Sequence, residues 1–127
     1  MSPNLLSIAI SVGEALEGLD LHKGRYAGLA LGGGIFSRVN FAEADFRGTD
    51  LREAVFDCRD LRGAIASGAN LRKAVFNRCK LDHVDLREAN LFRADVSQTL
   101  IDSVTDTHGA HFEQAKTLPR RAAGPAR

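Results

Sequence analysis

Tryptophan is absent from the 127 residues, tyrosine and methionine occur once each, and seven phenylalanines supply nearly all the aromatic content. No charge of one sign dominates, with 17 Lys and Arg against 16 Asp and Glu. Composition therefore argues against a nucleic-acid binder, which needs a basic excess, and against a polyanionic decoy, which needs an acidic one. No apolar run is long enough to span a bilayer. The segment LLSIAISV has the apolar character of a secretory h-region, but it lacks a basic n-region and a small-residue cleavage site, so it reads as mature sequence. Two cysteines without CxxC spacing are expected to be reduced thiols in an intracellular, cytoplasmic protein. The remaining 44% apolar content is enough for the core of one ordinary domain.

What is present is a repeat. DLREAVF at 50–56 returns as NLRKAVF at 70–76, and the twenty-residue echo resolves into a period of five. From Leu21 onward every fifth residue to Ile101 is bulky and apolar, except Ala66. Two residues before each of these, from Val39 to Thr99, the side chain is small or compact, except Arg59. Between the two rows stands Asp or Asn at 40, 45, 50, 60, 70, 85, 90 and 95. A period of five fits neither a helix, at about 3.6, nor a long strand, at about two. It fits a chain that turns a corner every five residues. The small and bulky residues point inward, and Asp or Asn serves the corner by bonding nearby backbone. Four corners close one square coil, residue n stacks on n+20, and neighbouring coils pair as a parallel ladder roughly 4.8 Å apart. A single coil cannot bury its inner face; stacked coils can.

The stretches ADF (44–46), TDL (49–51), ANL (69–71), ANL (89–91) and ADV (94–96) resemble the unit of the pentapeptide-repeat family, A(D/N)Lxx. The resemblance covers residues 19–101. It implies an all-β, right-handed quadrilateral parallel β-helix, a solenoid of four to five coils with short terminal caps. Residues 1–18 are expected as an N-terminal cap and 102–118 as a C-terminal partial coil or cap, displaced by one residue from the register. Residues 119–127 are expected as a disordered tail. Ser2 followed by Pro3 signals a helix start, with Leu5, Ala9, Val12 and Leu16 on one face. The alternation Ile8, Ile10, Val12 allows a strand instead. Arg59 is expected to snorkel out as its corner adjusts. At Ala66 either Ile65 turns inward through a bulge or a small void remains.

No catalytic motif is present, and no cofactor is implied. Asp82, His83 and Asp102 share one corner and would have to serve a metal-dependent enzyme if there were one. His108 and His111 form a weaker pair. Cys79 falls in the inward row and Cys58 outside it, as an inert surface thiol. One outer side leans basic, with Arg52, Arg72, Lys73, Phe92 and Arg93, and with a Glu53–Lys73 ladder pair. The next side carries Ile35, Val55 and Val75 where Asp or Asn usually stands. These should stack as an exposed apolar stripe with Arg38 and Arg78 at its rim, fit to be covered by a second copy or by another protein.

The functional expectation is a non-enzymatic bacterial protein-interaction scaffold with a protein partner, or a second copy, on that stripe. Direct nucleic-acid and membrane contacts are not expected. The family resemblance also offers a gyrase-binding DNA mimic of the quinolone-resistance type. Those proteins are typically longer, dimeric and markedly acidic, whereas this chain is short and balanced. An adaptor of a bacterial secretion spike is a further alternative, suggested by the opening GEALEGLDLHKG.

Overall fold

The computed structural model describes residues 2–58, 60–101 and 105–117. A helix, α1 (Pro3–Ser11), precedes six short strands: β1 (Ala15–Glu17), β2 (Ile35–Ser37), β3 (Val55–Asp57), β4 (Val75–Lys80), β5 (Asp95–Leu100) and β6 (Lys116–Thr117). They pair in chain order, all parallel, so each neighbour lies one coil further on. The other three sides are held by bridges in columns: Asp20–Asn40–Asp60, Arg25–Asp45–Ile65–Asp85–Asp106, and Ala30–Asp50–Asn70–Asn90–His111. Four columns five residues apart make a square parallel β-helix of about five coils.

The corners explain the five-residue unit. The inward small residue donates its N–H to the carbonyl of the bulky residue three back, as in Ala44 to Phe41 (3.0 Å), Ala74 to Leu71 (3.0 Å) and Ala94 to Leu91 (2.9 Å). The residue before each small one has a positive φ: Glu43 (58°), Lys73 (60°) and Arg93 (59°). That is the third position of a type II turn, where side chains are normally disfavoured. Asp and Asn offset this cost by accepting the N–H two residues on: Asn40 from Ala42 (2.9 Å), Asp60 from Arg62 (2.9 Å) and Asn90 from Phe92 (3.0 Å).

The interior consists of four side-chain columns. Phe36, Phe56 and Phe76 stack with centroids 5.2 and 4.9 Å apart, and Phe41 meets Phe46 edge-on at 5.0 Å. Gly24 and Gly34 hold the small row where rings lean over it. A Cβ would stand 2.3 Å from the Tyr26 hydroxyl in one case and 2.6 Å from the Phe36 ring in the other. Where threonine takes a small position its hydroxyl is satisfied inside. Thr49 donates to the Tyr26 carbonyl (2.8 Å), Thr99 to Phe76 (3.1 Å) and Thr105 to Leu81 (2.8 Å).

Several expectations need correction. The ladder begins at Ala15, which pairs with Ile35, inside the segment assigned to the N-terminal cap. That segment opens as the helix that Ser2 and Pro3 signal, not as the alternative strand. Ser2 caps it by accepting from the Leu5 N–H (3.2 Å), with Pro3 in the first turn. The inward face is Leu6 and Ile10, with Ala9 packed partly buried beside them; Leu5 and Val12 do not belong to it. Leu5 and Val12 are 56% and 70% exposed, and Leu16 belongs to β1. The helix is apolar on most sides, so its periodicity does not select a face; contact with the first coil does. Ser7 Oγ donates to the Ala30 carbonyl (3.2 Å), which seats Ile10 against the interior.

Ile65 stays in its outer row, bridged to Asp45 and Asp85, while Ala66 remains inward, so no bulge forms there. The register slips further on. Asn77 pairs with Gln98, and beyond the corner Asp85, Asn90 and Asp95 pair with Asp106, His111 and Lys116, each 21 residues later. Arg59, Asp102 and the 119–127 tail lie outside the described residues.

Candidate interaction faces

The strands β2, β3 and β4 bring Ile35, Val55 and Val75 into direct register on the outside of one side. Ile35 is 46% exposed; the two valines are half-buried by their neighbours. Arg38 and Arg78 stand at the following corner, both with positive φ, and both reach back one coil to an acid. Arg38 pairs with Glu17, and Arg78 lies 3.7 Å from Asp57. Both guanidiniums remain mostly exposed, so these pairs contribute little stability.

The basic side differs from its expectation. Arg52 is not a free cation, because its guanidinium forms a two-pronged pair with Asp50 (2.9 and 2.8 Å). The same Asp-x-Arg device recurs at Asp45–Arg47, Asp60–Arg62 and Asp85–Arg87. In each the arginine hydrogen bond is the largest influence on the carboxyl, holding it below the usual range against a partial desolvation that pushes the other way. At Asn70 the cap to Arg72 N–H survives (3.2 Å) but the charge is gone. Arg72 turns instead onto the Phe92 ring, 4.7 Å from its centroid, and Arg93 flanks the same ring at 5.4 Å. The expected Glu53–Lys73 pair is not among the ion pairs of the described residues.

Beside this side runs an open groove of about 720 Å³, which the repeat pattern did not reveal. Its walls include Ser7 and Ser11 of α1 on one flank and Arg72 and Lys73 on the other, with Gly32 and Gly33 between. The first coil carries glycines where later coils carry Arg52 and Glu53, Arg72 and Lys73, then Phe92 and Arg93. The missing side chains make the depression. The readable signal was the run GGG together with a helix start twenty-odd residues earlier.

The cysteines also depart from expectation. Cys58 and Cys79 form a disulfide, with Cα atoms 4.9 Å apart and a separation of 21 residues. Cys79 is inward, but it is not a free thiol, and Cys58 is half-buried rather than an inert surface group. The spacing of coils is itself of disulfide length, so Cys58 reaches Cys79 diagonally across the twenty-residue register of β3 and β4. The cytoplasmic expectation rested on reduced thiols and loses that support.

Of the metal candidates, Asp82 and His83 are exposed at their corner, while Asp102 lies outside the described residues. His108 donates its backbone N–H to Asp106, and His111 faces Glu113 at 3.9 Å. Among the described residues no group of three or more His, Cys, Asp or Glu is placed to hold a metal. No helix among them is long and apolar enough to cross a membrane.

These features define a β-solenoid built from five-residue units. The profile described as Pentapeptide repeats matches residues 31–58 and 60–99 in eight copies, more than half of the chain, and the protein belongs to the pentapeptide repeat family. No curated protein matches the sequence. Among solved structures, it is similar to a pentapeptide repeat protein from the Arabidopsis thaliana thylakoid lumen at 27% identity and TM-score 0.43, covering 79% of this chain and 63% of that one. It is similar to a pentapeptide repeat protein of the cyanobacterium Cyanothece 51142 at 18% identity and TM-score 0.46, covering 91% and 99%. A third is HetL from the cyanobacterium Nostoc sp., involved in heterocyst differentiation regulation, at 23% identity and TM-score 0.32, covering 78% and 46%. The chain thus spans less than two thirds of the Arabidopsis and Nostoc proteins.

Proposed function

We propose that this chain is a non-enzymatic protein-interaction scaffold whose contact surface is centred on Ile35, Val55 and Val75. The observation that supports it is their registered stacking outside the solenoid, with Ile35 nearly half exposed. The fold does not require apolar residues there, since the equivalent outer row elsewhere holds Asp45, Asp50, Asp60 and Asp85. Each side chain would contribute about 1.5–3 kcal/mol if fully covered. The strip is too narrow to be a standard interface of about 1,600 Å² alone, so it forms the centre of one, with the Arg38–Glu17 and Arg78–Asp57 pairs at its edge. Because the strip runs along the rod, a two-fold axis across it would lay it against a second copy. A DNA-mimicking acidic surface is a poor fit to a rod whose corner carboxylates are paired with arginines two residues on.

The test is Val55→Asp. Asp is already accommodated in this row, so circular dichroism should stay unchanged. Sedimentation of the unaltered protein should show concentration-dependent association that the variant loses. A wild-type chain that sediments as a monomer at all concentrations, and whose contacts with other proteins survive the substitution, would refute the reading.

A further inference from the structure

The basic side and its groove support a second, separate recognition site. Around the rod, arginines at the corners are neutralised by Asp two residues earlier, at 45, 50, 60 and 85. The exception lies on the fourth column, where two successive coils carry Asn70 and Asn90 instead of Asp. The amide keeps the backbone cap at both places, so the fold is served equally well. What changes is charge. Among the described residues Arg72 has no acid partner and lies half-buried on Phe92; Arg93 flanks the same ring and donates to the neutral Gln114 (2.8 Å). Lys73 is exposed beside them. Two guanidiniums thus flank one aromatic ring with Lys73 next to Arg72 in the chain, and Arg72 and Lys73 also line the groove that α1 and the glycine floor create.

We propose that Arg72, Lys73, Phe92 and Arg93 form a docking site for a short acidic segment of a partner protein, laid into the groove beside α1. Guanidinium forks and an ammonium recognise carboxylates through charge-assisted bonds. The ring holds Arg72 in place and offers an apolar surface to the segment's methylenes. Ser7 and Ser11 supply hydroxyls on the opposite wall. Asp50, paired with Arg52, and Glu53 also line the groove, one coil before Arg72 and Lys73, so the segment's carboxylates are seated at the Arg72–Lys73 flank. A long polyanion such as duplex DNA would run over Glu53, whereas one or two acidic side chains can stay on the cationic flank. The site uses a different side from the apolar stripe and needs the scaffold reading only in its broad form.

The probe is a fluorescein-labelled peptide of alternating glutamate and glycine, followed by anisotropy, against the same peptide with glutamine and against a duplex DNA. The double variant Arg72→Gln, Lys73→Gln is expected to fold, since Gln114 occupies the same left-handed turn position with φ 58°. It should weaken glutamate-peptide binding by about tenfold or more. Arg47→Gln, on another side and paired with Asp45, should not. Binding should weaken with salt. Equal binding of the glutamine peptide, equal binding by the double variant, or tighter binding of the duplex would overturn the proposal. Val55→Asp should leave peptide binding intact, so failure of the stripe and failure of this site are separately visible.

Discussion

Cys58 on the third coil is covalently joined to Cys79 on the fourth, one residue beyond the partner that the twenty-residue register of β3 and β4 would give it. The bond staples adjacent coils just past the registered pairing of β3 with β4. A loop of this length is expected to contribute about 2–4 kcal/mol by restricting the unfolded chain. Reductant should therefore lower the thermal midpoint of the natural chain and leave a Cys58→Ser variant unmoved. Non-reducing peptide mapping should find the 58–79 pair. Free thiols at both positions in protein purified under oxidising conditions would contradict the assignment.

The central ring stack gives a second expectation. Phe56 lies between Phe36 and Phe76, with centroids 5.2 and 4.9 Å away, and is 2% exposed. Removing it leaves a cavity bounded above and below by rings that cannot collapse without breaking the coil spacing. Phe56→Ala should cost about 3–5 kcal/mol in chemical denaturation. A loss below about 1 kcal/mol would mean that the stack is not a packed core.

How far the sequence reveals this molecule follows from what sets each feature. The alternation of small and bulky residues is an inside–outside pattern, and it names Leu71, Phe76 and Ala94 as interior because their burial is dictated by position in the coil. The disulfide is not legible, because twenty-residue stacking sets Cys58 over Arg78, and the bond runs diagonally to the next residue, Cys79. The neutralisation of Arg52 by Asp50 is local in sequence, two residues apart, and was there to be read. A pattern read across coils, twenty residues at a time, does not show it, because the pair lies along the chain. The groove depends on where α1 sits, and an all-round apolar helix does not announce its docking face.

Acid sensitivity follows from the Asp-x-Arg pairs. Hydrogen bonds from Arg47, Arg52, Arg62 and Arg87 depress the folded carboxyls of Asp45, Asp50, Asp60 and Asp85 below the unfolded value, about 3.9. Groups depressed in this way stabilise the fold above that pH, and the contribution is lost as pH falls through the lower folded values. The thermal midpoint should be flat from neutral pH to about 5 and then fall. Asp60→Asn keeps the backbone cap, as Asn70 shows, and removes one titrating pair. It should cost little at neutral pH because the guanidinium is exposed. The fall in acid should be shallower than in the natural chain; an identical acid profile would assign the sensitivity elsewhere.

The two leucines that open α1 separate docking from mere helix formation. Leu5 and Leu6 are adjacent, equal in propensity and both in the first turns, so any effect of helix content alone must act on them alike. Their surroundings differ: Leu6 is fully buried over the first coil, while Leu5 is 56% exposed. Leu6→Ala should therefore destabilise the chain by about 2–5 kcal/mol, whereas Leu5→Ala should stay within about 0.5 kcal/mol. Leu6→Asp should do more than weaken the fold. It should lift the helix from the solenoid's open end, expose the apolar edge around Leu16 and Leu21, and promote association in light scattering. Equal responses at positions 5 and 6 would show that α1 does not cover this end of the solenoid.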